Sequence, residues 1–144
     1  WVAESWRPLE ALTEAPGGPW TLLRRGEGFE HYLAACVPVT LHRSDLASYR
    51  YNLGGAEPRL YVVLRRSDDA ERPVRVVMAT LAPDEAQAMS ESGEDMVDGV
   101  PLPRPLHDWA LAFCACHPPD EPMKKRKRDR LDTDKAFAGQ GRRP

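Results

Sequence analysis

The sequence predicts an α+β domain: a mostly antiparallel sheet or partial barrel from the N-terminal two-thirds, capped by two C-terminal helices and followed by a disordered basic tail. Three observations carry this. Period-2 apolar patterns lie before about residue 82 and helical periods after it, and strands first with helices last suggests segregated α+β architecture. Fourteen prolines in 144 residues argue against a helix bundle, because each removes a backbone donor and fixes φ. Charge is divided: residues 1–117 hold 11 Lys/Arg against 17 Asp/Glu, net −6, while residues 118–144 hold 9 against 5, net +4. Residues 1–119 read as a single domain and 120–144 as its tail.

Residues 6–13 are expected to form a first strand, and APGGP at 15–19 a turn. A strand follows at 20–25, then a turn on Gly26–Gly28, then strands up to about Arg43. Leu33, Ala35, Val37, Val39 and Leu41 alternate as in a half-buried strand, and Pro38 places that strand at an edge or bulge. At 41–53 the chain should turn a corner, with Ser44 or Asp45 capping a short helix over 45–50 and Tyr49 and Leu53 packing back on the sheet.

RLYVVLRRS (59–67) and VRVVMATLA (74–82) read as a hairpin across the polar turn DDAERP. PDEAQAMSESG (83–93) is a short helix: Pro83 suits its start, acidic residues its first turn and Gly93 its stop. EDMVDGVPLPRP is expected to be a loop. The second helix is 105–119, with Leu106, Trp109, Ala110 and Phe113 spaced to face the sheet. The last 25 or so residues are too polar to offset the entropy of ordering.

Several function classes have weak support. No P-loop, G-x-G-x-x-G or G-x-S-x-G occurs; RRGEGF at 24–29 is a lone turn. His42, Ser44 and Asp45 do not make a triad, because neighbouring strand residues face opposite ways. In CACH, Cys114 and Cys116 would project about 200° apart on a helix. His107 and Cys114 share a face, but two ligands do not hold a metal, and none is expected. With Cys36 the cysteines number three, which fits no disulfide framework and makes the cytoplasm the expected compartment. No apolar run approaches the roughly 20 residues of a membrane span.

Three charged patches remain as binding candidates. The first is a ligand- or partner-binding rim at the corner, from His42, Arg43, Tyr49, Arg50 and Asn52, with Arg65 and Arg66 from a neighbouring strand end. Planar guanidinium donors there would suit a phosphate or a partner's carboxylates; the plainer reading is a strand-to-helix corner with a polar rim. The second is an acidic docking face, Asp84, Glu85, Glu91, Glu94, Asp95 and Asp98, in a stretch without Lys or Arg. Its plainer reading is a solvated helix face and loop. The third is the basic run Lys124, Lys125, Arg126, Lys127, Arg128 and Arg130. Such a run attracts phosphate, acidic protein or anionic lipid, but the nearest tail aromatic, Phe137, lies seven positions on, so nucleic-acid binding is the weakest of these readings.

A resemblance narrows the partner. WRPLEAL, WTLLRRGEGFEHYLA, LHRSDLASYRYNL, PRLYVVLRR, SGEDMVDGVPLP and DEPMKKRKR, in this order, resemble a bacterial family of uncharacterised proteins encoded beside molybdenum- or tungsten-dependent formate dehydrogenase. The residues that match the pattern include Trp6, Arg7, Gly28, His42, Arg43, Tyr49, Asn52, Tyr61, Arg65, Gly93 and Gly99. The resemblance implies a non-catalytic accessory or maturation role, acting by protein–protein binding on a dehydrogenase subunit or its maturation factors. Some members are labelled molybdopterin–guanine dinucleotide biosynthesis proteins. That label implies an alternative, a binding module for an anionic pterin nucleotide, with a molybdopterin nucleotide as ligand.

Overall fold

The computed structural model describes residues 4–119. The chain runs β1 (Thr21–Gly26), β2 (Phe29–Leu33), a 3-10 turn (Arg43–Asp45), α1 (Leu46–Leu53), β3 (Arg59–Arg66), β4 (Val74–Thr80), α2 (Pro83–Glu91), β5 (Asp95–Pro101) and α3 (Arg104–Cys116). The class is α+β, as the sequence predicts. The strands form two antiparallel sheets, β1-β2 and β4-β3-β5, not a closed barrel. The predicted tail, 120–144, lies outside the described residues.

β3 is the centre of the fold. Its Leu60, Val62 and Leu64 alternate onto one face. β4 pairs with it through a bulge: Val63 opposes Met78 and Leu64 opposes Val76, which leaves Val77 extra. The bulge switches the parity of β4, so Val76 and Ala79 both stand opposite even-numbered residues of β3. At one end of this face, α1 and α3 close a core of Tyr49, Leu60, Ala79, Leu81, Val100, Ala110 and Cys114. α2 packs against β5 and β3 and buries Ala86.

Polar contacts pin the helix ends. Asp84 at the start of α2 donates its N–H to Ser48 Oγ on α1, 3.3 Å. Thr80 Oγ1 accepts from Ala82 N at 3.1 Å and donates to Glu85 at 2.7 Å, which ties the end of β4 to the first turn of α2. Arg50 of α1 donates to the Cys114 carbonyl, 3.1 Å, and to the His117 carbonyl, which satisfies orphan acceptors at the end of α3.

Several expectations need correction. Residues 6–13 form no strand, and the pairing after β2 stops at Leu33. Residues 35–41 nevertheless alternate in burial, and Val37, Val39 and Leu41 pack on the core; the segment is extended without a ladder. The loop expected after residue 93 contains β5, an edge strand paired with β3 from Arg59–Pro101 to Arg65–Asp95. Asp and Gly are depleted in strands, which hid it; at an edge, polar side chains are tolerated because one side faces water. The corner helix begins where expected, but neither Ser44 nor Asp45 makes a side-chain cap. Trp109 is 43% exposed rather than buried on the sheet.

Candidate functional site

The other end of the β3 face is not closed by helices. Val62, Leu64, Val74 and Val76 form the floor of a cleft of about 530 Å³, with Leu106 and Trp109 of α3 at one side. Opposite stand an N-terminal arm, residues 6–15, and the segment from Glu30 to Val39. This volume lies within the usual range for binding sites, and an apolar wall with few polar groups is their usual composition. Leu9, Leu12, Leu23 and Trp109 line it and stay substantially exposed.

Part of the lining is aromatic. Trp6, Trp20 and Tyr32 meet with ring centroids 5.6–6.0 Å apart. Trp20 holds φ = +64°, the left-handed region. For so bulky a residue this is an outlier that costs about 1–3 kcal/mol, and such strain clusters at functional sites. Its N–H donates to the Leu33 carbonyl, which closes the β1-β2 hairpin. Trp6 thereby ties the arm to the hairpin through side chains: among the described residues, no backbone–backbone hydrogen bond holds 4–17. Ala11 is the arm's contact with the core.

Polar groups sit at the edge. Tyr32 donates to Glu30, whose carboxylate also meets Arg25 Nε at 3.0 Å. The tyrosine hydroxyl holds the Glu30 carboxyl below its ordinary range, and the carboxylate pushes the phenol up in return. Glu10 and Glu14 of the arm are exposed beside the cleft.

The residues of the predicted rim are not gathered. Tyr49 is buried, and its hydroxyl accepts the His42 N–H at 2.9 Å; burial pushes the phenol pKa up. Asn52 is buried too: its amide donates to the Arg59 and Leu81 carbonyls, 2.7 and 2.9 Å, and its oxygen accepts the Arg59 N–H at 3.0 Å. Arg50 is committed to α3. His42 and Arg43 are exposed at the corner. Asn52 touches the start of β3 at Arg59, whereas Arg65 and Arg66 lie about 20 Å further along at the rise of a strand. At the corner, a segment without strand pairing leads through the 3-10 turn into α1, with Tyr49 and Asn52 packed inward.

The acidic residues lie on α2 and around β5, which pack together. Asp84 and Glu85 begin α2, Glu91 ends it, and Glu94 and Asp98 are exposed around β5. Asp95, with only 2% of its side chain exposed, takes two bonds from Arg65, 2.7 Å from Nε and 3.1 Å from Nη2. These bonds hold its carboxyl below the ordinary range. Their stabilising contribution is complete above the unfolded pKa, about 4, and is lost as pH falls through the lower folded value. Asp95→Asn should therefore be less stable than wild type at neutral pH, with a flatter stability profile at acid pH, read by denaturant titration across pH. Parallel profiles would contradict the pairing.

Cys114 is buried, whereas Cys36 and Cys116 are exposed, so the two helical cysteines do point apart. Among the described residues no group of three His, Cys, Asp or Glu is placed to hold a metal ion, and no helix is long and apolar enough to cross a membrane. The basic run, Lys124–Arg130, lies outside them. Sequence reasoning missed the cleft, whose walls come from distant segments. Its nearest signal was the arm's Trp6, Leu9 and Leu12, apolar residues within the stretch expected to form a first strand.

No curated protein and no solved structure matches the chain. One family model, described as a protein of unknown function (DUF3305), matches residues 1–127. Most of the sequence is covered, and the chain belongs to that family.

Proposed function

We propose that this protein is a non-catalytic accessory or maturation factor that binds a partner protein through the apolar cleft, the partner being a subunit of molybdenum- or tungsten-dependent formate dehydrogenase or one of its maturation factors. The single supporting observation is the cleft: an apolar cavity of about 530 Å³, lined in part by Trp6, Trp20 and Tyr32, at which Leu9, Leu12, Leu23 and Trp109 stay exposed. Contiguous exposed apolar surface rimmed by polar residues is characteristic of interaction sites. At the corner, Tyr49, Arg50 and Asn52 are engaged in internal hydrogen bonds, which favours the cleft over the competing anion-binding reading. The sequence resemblance supplies the identity of the partner.

The test is affinity purification of the full chain from cells expressing a formate dehydrogenase operon, beside Leu9→Asp/Trp109→Asp. Both substituted residues are exposed and line the cleft, so the fold should survive. A dehydrogenase subunit or maturation factor should copurify with wild type and fall at least about tenfold with the variant, since charge placed in an interface core costs several kcal/mol. Recovery of no operon product, or equal recovery by both proteins, would reject the proposal.

A further inference from the structure

Resting on that reading, we infer that the segment taken by the cleft is basic as well as apolar: aliphatic or aromatic anchors flanked by Lys or Arg. The lining side chains that stay exposed, Leu9, Leu12, Leu23 and Trp109, offer contact to apolar side chains alone. Charge discrimination must come from the edge. There Glu10 and Glu14 are exposed on the arm and take part in no ion pair among the described residues. They stand four positions apart, and the lining includes one arginine, Arg7, and no lysine. Glu30 is already met by Arg25.

An acidic segment would bring like charges to Glu10 and Glu14. A purely apolar one would strip water from these carboxylates without replacing it. Basic flanks pair with them. At longer range residues 1–117 carry a net charge of −6 against +4 on residues 118–144, so the body attracts a basic segment. Apolar contact holds the segment while charge selects it.

Trp6, Trp20 and Trp109 line the cleft, so intrinsic fluorescence reports its occupancy. The full chain is titrated with three synthetic peptides of equal length: amphipathic Leu/Lys, amphipathic Leu/Glu, and Ser/Lys. The Leu/Lys peptide should bind at least about tenfold more tightly than either other peptide, and Glu10→Lys/Glu14→Lys should reverse the order of the two leucine peptides. If Leu/Glu binds as tightly as Leu/Lys, or the charge-reversed variant keeps the wild-type order, the basic preference is wrong while an apolar docking cleft stands. If Ser/Lys binds as tightly as Leu/Lys, or neither leucine peptide changes the fluorescence, the inference also falls. Copurification then decides separately for the cleft as a docking surface.

Discussion

Asn52→Leu is expected to destabilise the domain by about 3 kcal/mol, which corresponds to roughly 10 °C in Tm. Leucine fills nearly the same space but makes none of the three hydrogen bonds through which Asn52 joins α1 to the start of β3 and the end of β4. The Arg59 N–H and the Arg59 and Leu81 carbonyls are then left without their partner. Each such group, where water cannot replace the bond, costs about 1–3 kcal/mol. Asn52→Asp separates hydrogen bonding from shape. Its carboxylate can accept from Arg59 N but faces two carbonyls that need a donor. Burial and those carbonyls raise its folded pKa above the unfolded value, so its deficit relative to wild type should narrow as pH falls. Thermal and denaturant unfolding of both variants provide the check. A deficit under about 1 kcal/mol for Asn52→Leu would mean that the network is dispensable.

Tyr49→Ala should cost about 3–5 kcal/mol, the range for emptying a fully buried aromatic site. Tyr49 is 1% exposed, lies in the core between α1, α3 and the sheet, and packs edge-on to Phe113 with centroids 6.3 Å apart. Tyr49→Phe keeps that packing and loses only the acceptor for the His42 N–H. Because His42 is exposed and water can approach it, the loss should be about 1 kcal/mol. The ratio of the two effects tells packing from hydrogen bonding, and equal losses would contradict the packing role.

Most of the core was legible in the sequence because its signals are local. The β-branched run of β3, its return in β4 and the 3.6-residue period of α3 each declare a regular element within a few residues. The start of α2 was visible for the same reason: Pro83 stands at its first turn. The arm illustrates the opposite case. Residues 6–13 read as a strand, but Trp6, Leu9 and Leu12 stand three positions apart, not two, and meet a cleft and solvent, not a paired strand. β5 was hidden because Asp95, Asp98 and Gly99 argue against a strand locally, while what holds it is remote: its pairing with β3 and the Arg65–Asp95 contact. The bulge at Val77, which turns Val76 and Ala79 to the same face, leaves no trace in a period-2 count.

The candidate site divides along the same line. Histidine, arginine and asparagine at 42–52 stand out in a sequence because they are polar and close together. In the fold, Asn52 and Arg50 serve as internal fasteners, and Arg65 serves β5. The cleft draws its walls from the arm, both sheets and α3, so no window of sequence contains it. Trp20 was hidden too: it is a central residue of the turn closed by Thr21 N and the Gly18 carbonyl, and nothing about a tryptophan announces a positive φ.

Hydrogen–deuterium exchange of the full chain, free and bound to the operon product it captures, tests the docking cleft most directly. The arm makes no backbone–backbone hydrogen bonds among the described residues, so its amides should exchange fast in the free protein. Burial beneath a partner should protect residues 6–15, with smaller changes at 30–39 and around Trp109. Unchanged exchange in the arm, with protection confined to 42–50 or 84–98, would contradict the account.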